Sequence, residues 1–95
     1  MKLRFTPRAV RNLTAIGDYL TERNPAAAAR VRADIYDGLR DLLLFPQLGR
    51  PQRSEGVRKL VTRRYAYLVY YIVDQDEVIA LSIRHPARRR EHQDT

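Results

Sequence analysis

Apolar residues recur every three or four positions in the first half of the chain and follow strand-like patterns in the second half. The helical spacing predicts two amphipathic helices, over residues 7–23 and 25–45, and places Asp34 on the charged, solvated face of the second. A Thr-Pro pair at 6–7 and an Asn-Pro pair at 24–25 favour the two helix starts. Because one helix ends where the next begins, we expect a helical hairpin.

Four short segments have strand patterns. The third, YAYLVYYIV, is apolar on both faces and fits a central strand. The fourth is predicted to place Ile79, Leu81 and Ile83 on one face. Short connections between the last three segments predict an antiparallel meander. The four segments are residues 2–5, 57–61, 65–73 and 77–83.

The order of these elements, β-α-α-β-β-β, predicts the α+β class. We expect an N-terminal short strand and a helical hairpin packed on a three- to four-stranded antiparallel sheet. Residues 1–95 are predicted to form a single domain, with a loose polar tail over about residues 87–95.

The connection FPQLGRP, residues 45–51, follows the second predicted helix. Pro46 ends that helix, because a residue before proline is pushed out of the helical region. Gly49 is predicted to supply a turn that a side chain would resist. Two interpretations of Arg50 stay open: it satisfies carbonyls at the helix exit, or it clamps the loop to the sheet near Glu55.

The composition excludes several classes of protein. The chain has no cysteine, which excludes disulfide scaffolds, thiol catalysis and Cys-based zinc sites. His85 and His92 lack an accompanying carboxylate or cysteine cluster, so we expect neither a metal nor a cofactor. No apolar run is long enough to span a membrane and no signal peptide is evident. Because a small secreted domain without disulfides would be unusual, we expect a cytoplasmic protein without membrane contact.

The charge favours an anionic partner. Eighteen basic and eleven acidic residues give a net charge of +7, and sixteen of the basic residues are arginine. Arginine grips phosphates and carboxylates in two-point contacts, so the chain is predicted to bind nucleic acid or an acidic protein. A genome rich in Arg codons is the alternative explanation. The candidates for target binding are Arg58, Lys59, Arg88 and Arg89.

A meander would bring several polar residues to one end of the sheet. Strands that alternate in direction place Arg63, Arg64, Arg84 and His85 on a common rim. RNA cleavage there would need a base, an acid and cations for the phosphate. His85 is a candidate base or acid, Glu55 is the other candidate base, and the three arginines are the candidate phosphate ligands. The alternative for His85 is a hydrogen-bonded surface residue.

Tyrosines are concentrated in the central segment. Together with the neighbouring arginines, Tyr65, Tyr67, Tyr70 and Tyr71 could stack on the bases of single-stranded RNA. They could equally be structural, because tyrosine is a common strand residue.

The order and spacing of these motifs resemble the RelE/ParE superfamily, the toxins of bacterial type II toxin–antitoxin modules. The resemblance covers Leu3 to about Arg89. Its most specific elements are the FPxLGRP helix exit, the Tyr-x-Val-x-Tyr central strand and the Ile-Arg-His-x-x-Arg ending.

The resemblance implies one of two targets. RelE-like members cleave mRNA in the ribosome, and ParE-like members poison DNA gyrase without cleaving nucleic acid. The RelE-like branch typically has an arginine where this chain has Tyr67, and often a tyrosine soon after the last strand, where Pro86 follows His85 and no tyrosine comes later. The chain therefore looks closer to the ParE-like branch. A RelE-like endonuclease and a degenerate, non-toxic module that binds an antitoxin are the alternatives.

Both branches imply the same partner. A cognate antitoxin, encoded next to the toxin and acidic in its toxin-binding segment, would neutralise the toxin by packing across the helical hairpin and pairing with a sheet edge. DNA would be contacted only through that complex.

Overall fold

The chain folds into a helical hairpin that covers one face of a sheet. A computed structural model describes residues 1–86, and the predicted polar tail lies outside the described residues. The α+β class and the predicted order of elements are confirmed, with one additional short strand. The elements are β1 (Lys2–Phe5), α1 (Pro7–Arg23), α2 (Pro25–Leu44), β2 (Arg50–Pro51), β3 (Arg58–Val61), β4 (Leu68–Asp74) and β5 (Glu77–Arg84).

Both helices begin at the predicted caps. The Thr6 hydroxyl accepts a hydrogen bond of 3.1 Å from the Ala9 amide, and the Asn24 side chain accepts one of 3.1 Å from Ala27. These bonds satisfy amides that have no partner within the first turn of a helix. At its other end α2 stops one residue before Phe45, which caps it ahead of Pro46.

The sheet differs from the prediction in two ways. Within residues 1–86 it has five strands in the order β1-β5-β4-β3-β2, not three or four. β1 lies parallel to β5, whereas the other three pairs are antiparallel. The connection from β1 to β5 is long, as a parallel pair requires, and contains the helical hairpin followed by β2, β3 and β4. The extra strand, β2, is only two residues long and includes Pro51, which is tolerated because β2 lies at the sheet edge.

A bulge in β5 overturns one predicted face. Tyr70 pairs with Ser82 but Tyr71 pairs with Ala80, so Leu81 is an extra residue in β5. The extra residue shifts the alternation of side chains between the two faces of β5 by one position. Ala80 and Ile83 therefore face the helices together, and the prediction that Ile79 shares a face with Ile83 is wrong.

The core lies between the helical hairpin and the sheet. α2 contributes most of the helical side, and the partly buried Leu13, Ile16 and Leu20 of α1 pack against it. The largest side chains that are fully buried there are Ile35, Leu39, Leu42, Val69, Tyr71, Val78 and Ile83.

Tyr71 anchors the FPQLGRP connection to the sheet. Its buried hydroxyl donates a hydrogen bond of 2.7 Å to the Pro46 carbonyl and accepts one of 2.8 Å from the Gly49 amide. Burial raises the pKa of this hydroxyl, so it stays a neutral donor. A Cβ on Gly49 would lie 2.6 Å from a carbon of the Tyr71 ring. Glycine is thus required for this close approach rather than for a turn.

Arg58 holds the same connection from the neighbouring strand. Its guanidinium donates to the Gly49 carbonyl at 2.7 Å and to the Gln47 carbonyl at 3.2 Å. The clamp considered for Arg50 is therefore formed by Arg58, and Arg50 itself is exposed on β2. The exit of α2 is fixed at two points.

We expect the substitution Tyr71→Phe to lower the free energy of unfolding by about 1–3 kcal/mol, because it leaves the buried Gly49 amide and Pro46 carbonyl without their partner. Urea denaturation followed by circular dichroism measures this change. The matched control is Tyr70→Phe, since Tyr70 is only half-buried. Equal losses for the two variants would contradict the anchoring role of Tyr71.

Candidate functional site

The register brings the predicted rim together. Leu68, at the start of β4, pairs with Val61 at the end of β3 and with Arg84 at the end of β5. Arg63 and Arg64 follow β3 after Thr62, and His85 follows β5 directly. The candidate rim residues therefore occupy one end of the three strands.

Glu55 lies elsewhere. It is exposed in the turn that precedes β3, whereas the rim follows the end of β3. β3 runs between them, and its four residues span roughly 13 Å at the usual rise of an extended chain. Glu55 therefore lies at the opposite end of the sheet from His85, which follows β5, and the two are too far apart for one acid–base pair.

His85 packs against an aromatic ring. The centroids of its ring and the Tyr67 ring are 5.2 Å apart, and the ring planes meet at 82°, an edge-to-face contact. Tyr67 is only 3% exposed, and Tyr71 is fully buried. Two of the four tyrosines considered for base stacking are thus core residues, as the structural interpretation of them expects. The hydroxyl of a third, Tyr65, accepts a hydrogen bond from Arg30.

Asp34 is a buried polar residue that sequence reasoning placed in solvent. Its carboxylate accepts hydrogen bonds from the Thr62 hydroxyl at 2.6 Å and from the amides of Tyr65 and Arg64 at 2.9 Å and 3.1 Å. Asp34 is 4% exposed. The carboxylate thereby ties α2 to the turn between β3 and β4. No sequence signal marks this contact, because the turn lies about thirty residues away.

The turn is also closed on itself. Thr62 donates its amide to the Tyr67 carbonyl at 2.9 Å, and its hydroxyl accepts the Tyr67 amide at 2.9 Å. Ala66 adopts a left-handed conformation, with φ at 57°. The tight turn leaves Arg63 and Arg64 exposed at its tip.

The pKa of Asp34 is lowered from its ordinary value of 3.8. Burial alone would raise this pKa, but the hydrogen bonds from Thr62, Tyr65 and Arg64 and the Arg64 charge stabilise the ionised form more strongly. The carboxylate is therefore charged at neutral pH and is stabilised by its fixed donors.

The other charged candidates have separate environments. Arg63 forms an exposed ion pair of 3.1 Å with Asp41 on α2, a contact that adds little stability. Lys59 lies on β3 next to the loop clamp Arg58. Arg88 and Arg89 lie outside the described residues.

A groove of about 890 Å³ lies between the C-terminal half of α2 and the edge formed by β2 and β3. At its inner side a Cβ on Gly38 would meet Leu60 at 3.1 Å, so glycine lets α2 approach β3 closely. Its rim includes basic residues of β2, β3 and the following turn and exposed apolar residues. They are Arg50, Lys59, Arg63, Arg64, Leu44 and Val61.

Residues 1–86 contain no group of three or more side chains suited to metal binding. None of their helices combines the length and the apolar character needed to cross a bilayer.

We expect Asp34→Asn to lower the free energy of unfolding by about 1–3 kcal/mol at neutral pH, because the buried turn loses a charged acceptor. The folded pKa is below the unfolded one, so the carboxylate stabilises the fold fully above about pH 3.8, and that stabilisation is lost as the pH falls through the folded pKa. The difference in the free energy of unfolding between wild type and variant should therefore become smaller below about pH 3.8.

Urea denaturation at a series of pH values measures this gap. Asp18→Asn is the control, because Asp18 is exposed on α1. A gap that stays constant down to the lowest pH would show that ionisation of Asp34 does not support the fold.

The chain is similar to a known protein family and to individual proteins of other bacteria. The family model described as ParE toxin of type II toxin-antitoxin system, parDE, matches residues 3–90. The protein Y4kP of Sinorhizobium fredii is 38% identical over 84 residues, covering 88% of this chain and 86% of its own length. Toxin RelE3 of Caulobacter vibrioides is 35% identical over 86 residues, covering 88% of this chain and 92% of its own length.

Solved structures share the fold. A chain of the chromosomal ParDE system from P. aeruginosa aligns with a TM-score of 0.77 and 28% identity, over 90% of this chain and 95% of that one. A chain of the E. coli RelBE toxin-antitoxin complex aligns with a TM-score of 0.68 over 88% of this chain and 94% of that one, and at 19% identity it supports the fold alone. The family match, the sequence identity and the shared fold together place this chain in the RelE/ParE superfamily, as a toxin of a type II toxin–antitoxin system.

Proposed function

We propose that this toxin acts in the ParE-like manner, by poisoning DNA gyrase in the cytoplasm, and that a cognate antitoxin neutralises it. The observation that carries the proposal is the separation of Glu55 from His85 by the length of β3. A general acid and a general base must both lie within hydrogen-bond reach of the reacting phosphate. These two groups do not meet that requirement together.

The position of Tyr67 supports the same conclusion. The resemblance to RelE-like toxins implies an arginine at this position, where its charge would stabilise a cleaved phosphate. Here the position is occupied by a buried tyrosine that packs against His85. The central strand therefore supplies no cation at this point.

The comparisons favour the ParE-like branch but leave a second candidate. The matching family model is the ParE toxin, and the P. aeruginosa chain belongs to a ParDE system. However, two Caulobacter vibrioides relatives bear the names RelE3 and RelE2, at 35% and 34% identity. Ribosome-dependent mRNA cleavage through Arg84 and His85 is therefore the second candidate function.

The antitoxin partner follows from the kind of complex in which similar chains occur. The RelBE2 structure of Mycobacterium tuberculosis, which aligns with 29% identity and a TM-score of 0.57, is a toxin-antitoxin complex. A net charge of +7 on this chain suits an acidic partner segment.

Induction of the protein without its antitoxin tests the target. We expect filamentous cells, an SOS response and gyrase–DNA cleavage complexes, because a gyrase poison stabilises broken DNA. Pulsed-field electrophoresis measures the breaks, and mapping of mRNA 5′ ends in the same cells measures cleavage of message. Intact DNA together with codon-phased cuts in mRNA would overturn the proposal in favour of ribosomal cleavage.

The double variant Arg84→Ala, His85→Ala is the matched control for the second candidate. If mRNA cleavage causes the toxicity, this variant should be harmless while it remains folded. Unaffected growth on induction of the folded wild-type protein would indicate instead the non-toxic, antitoxin-binding module.

A further inference from the structure

The exit of α2 carries three large apolar side chains on its surface. Leu44, Phe45 and Leu48 are 72%, 64% and 52% exposed. Leu42, by contrast, is fully buried, and the partly buried Leu43 packs against the core. The apolar run at the end of α2 therefore divides into an inner part that stabilises the fold and an outer part that faces solvent. We call Leu44, Phe45 and Leu48 the exit platform.

The backbone beneath the exit platform is fixed. Phe45 donates its amide to the Asp41 carbonyl at 2.8 Å, and its carbonyl accepts the Leu48 amide at 3.0 Å. The Tyr71 hydroxyl and the Arg58 guanidinium hold the rest of the connection. Apolar side chains on a support that is already in place are typical of an interaction surface, because little conformational entropy is lost on binding.

The chain that follows the exit platform is basic. Arg50 and Arg53 are both exposed, and neither forms an ion pair among residues 1–86. Glu55 is the only acidic residue between Asp41 and Asp74 in the sequence. Guanidinium groups beside apolar side chains are complementary to a protein surface on which carboxylates border an apolar pocket.

The helical hairpin offers a separate surface to the antitoxin. A cleft of about 300 Å³ lies between α1 and α2, with Leu13, Leu20 and Val31 among its apolar lining. None of the residues that line it within 1–86 lies beyond Tyr36, so the cleft shares no residue with the exit platform. An antitoxin that packs across the hairpin can occupy this cleft, and the exit platform remains available to a different protein.

From these features we infer that the exit platform is the surface by which this toxin binds the protein part of gyrase. Phe45 enters an apolar pocket on gyrase, and Arg50 and Arg53 contact carboxylates at the border of that pocket. The inference rests on the proposed poisoning of gyrase and names the contact surface. Aromatic side chains and arginine are the residue types in which protein–protein interfaces are enriched.

DNA held by gyrase fits the exit platform less well than a protein pocket does. Bases bind proteins by stacking on aromatic rings, of which the platform has one. The two leucine side chains offer nothing to a phosphate backbone and would stay in water. A protein pocket removes all three apolar side chains from water, which is favourable in proportion to the area buried.

Binding of the full chain to purified gyrase without DNA, measured by biolayer interferometry, tests the inference. We expect the double variant Phe45→Ser, Leu48→Ser to bind about tenfold or more weakly, because it loses the central anchor and a neighbour. The variant keeps its backbone hydrogen bonds, so urea denaturation should give nearly the free energy of unfolding of wild type. The control Val10→Ser, Tyr19→Ser changes side chains of α1 that are 51% and 44% exposed, and it should bind like wild type.

The charge contacts have their own pair of variants. Arg50→Glu, Arg53→Glu should bind gyrase several-fold more weakly at low salt, and the loss should shrink as salt is raised, because exposed charges are screened. Arg8→Glu, Arg11→Glu changes the net charge equally at exposed positions of α1 and should bind like wild type. Equal losses in the two variants would show that net charge alone attracts gyrase and would overturn these contacts.

Photo-crosslinking tests the surface without removing an apolar side chain. With p-benzoylphenylalanine in place of Phe45, the chain should cross-link to a gyrase subunit, and with the same group in place of Tyr19 it should not. In a parallel reaction with supercoiled plasmid, linear DNA recovered after protease treatment measures the trapped breaks. These breaks should decrease together with gyrase binding in the Phe45→Ser, Leu48→Ser variant.

The outcomes separate the inference from the proposed function. If wild type neither binds gyrase nor traps DNA breaks, the proposed function fails and the inference fails with it. If wild type does both and the Phe45→Ser, Leu48→Ser variant binds gyrase fully, or positions 45 and 19 cross-link equally, only the inference is overturned. A variant that binds gyrase fully but loses DNA binding, self-association or neutralisation by a co-expressed antitoxin would likewise assign the exit platform to another partner.

Discussion

The buried carboxylate of Asp34 fixes the position of the surfaces that could bind a partner. It belongs to α2 but accepts three hydrogen bonds from the turn between β3 and β4. A carboxylate removed from water is tolerated only where such donors surround it, so the helix and the turn must keep one relative position. Arg63 and Arg64, at the tip of that turn, are therefore positioned by the helix as well as by the strands.

The hydroxyl of Tyr71 performs the corresponding task at the C-terminal end of α2. It bridges two backbone groups of the helix exit, and Arg58 adds a second attachment to the same segment. The groove lies along α2 between the Asp34 and Tyr71 contacts. These contacts join α2 to the sheet at both ends of the groove, which favours a preformed surface.

The features that sequence predicted well are those with local causes. Thr6 and Asn24 lie next to the helices they cap, so their pattern alone located both helix starts. The contacts it missed join distant segments. Asp34 has the sequence pattern of a solvent-facing helical residue, and its burial depends on a turn about thirty residues later. The bulge at Leu81 inserts one residue into an otherwise regular pattern and thereby moved Ile79 off the predicted face.

The candidate site was predictable to the same extent. Strand alternation was enough to bring Arg63, Arg64, Arg84 and His85 to one end of the sheet. It could not show that Tyr67 is buried against His85, because that depends on packing. Net charge likewise does not show which basic residues are occupied by contacts within the chain. Arg58 and Arg63 contact groups of this chain. Arg50 and Lys59 form no ion pair within residues 1–86. Which cations stay available to a partner therefore depends on contacts between distant segments, which net charge does not reveal.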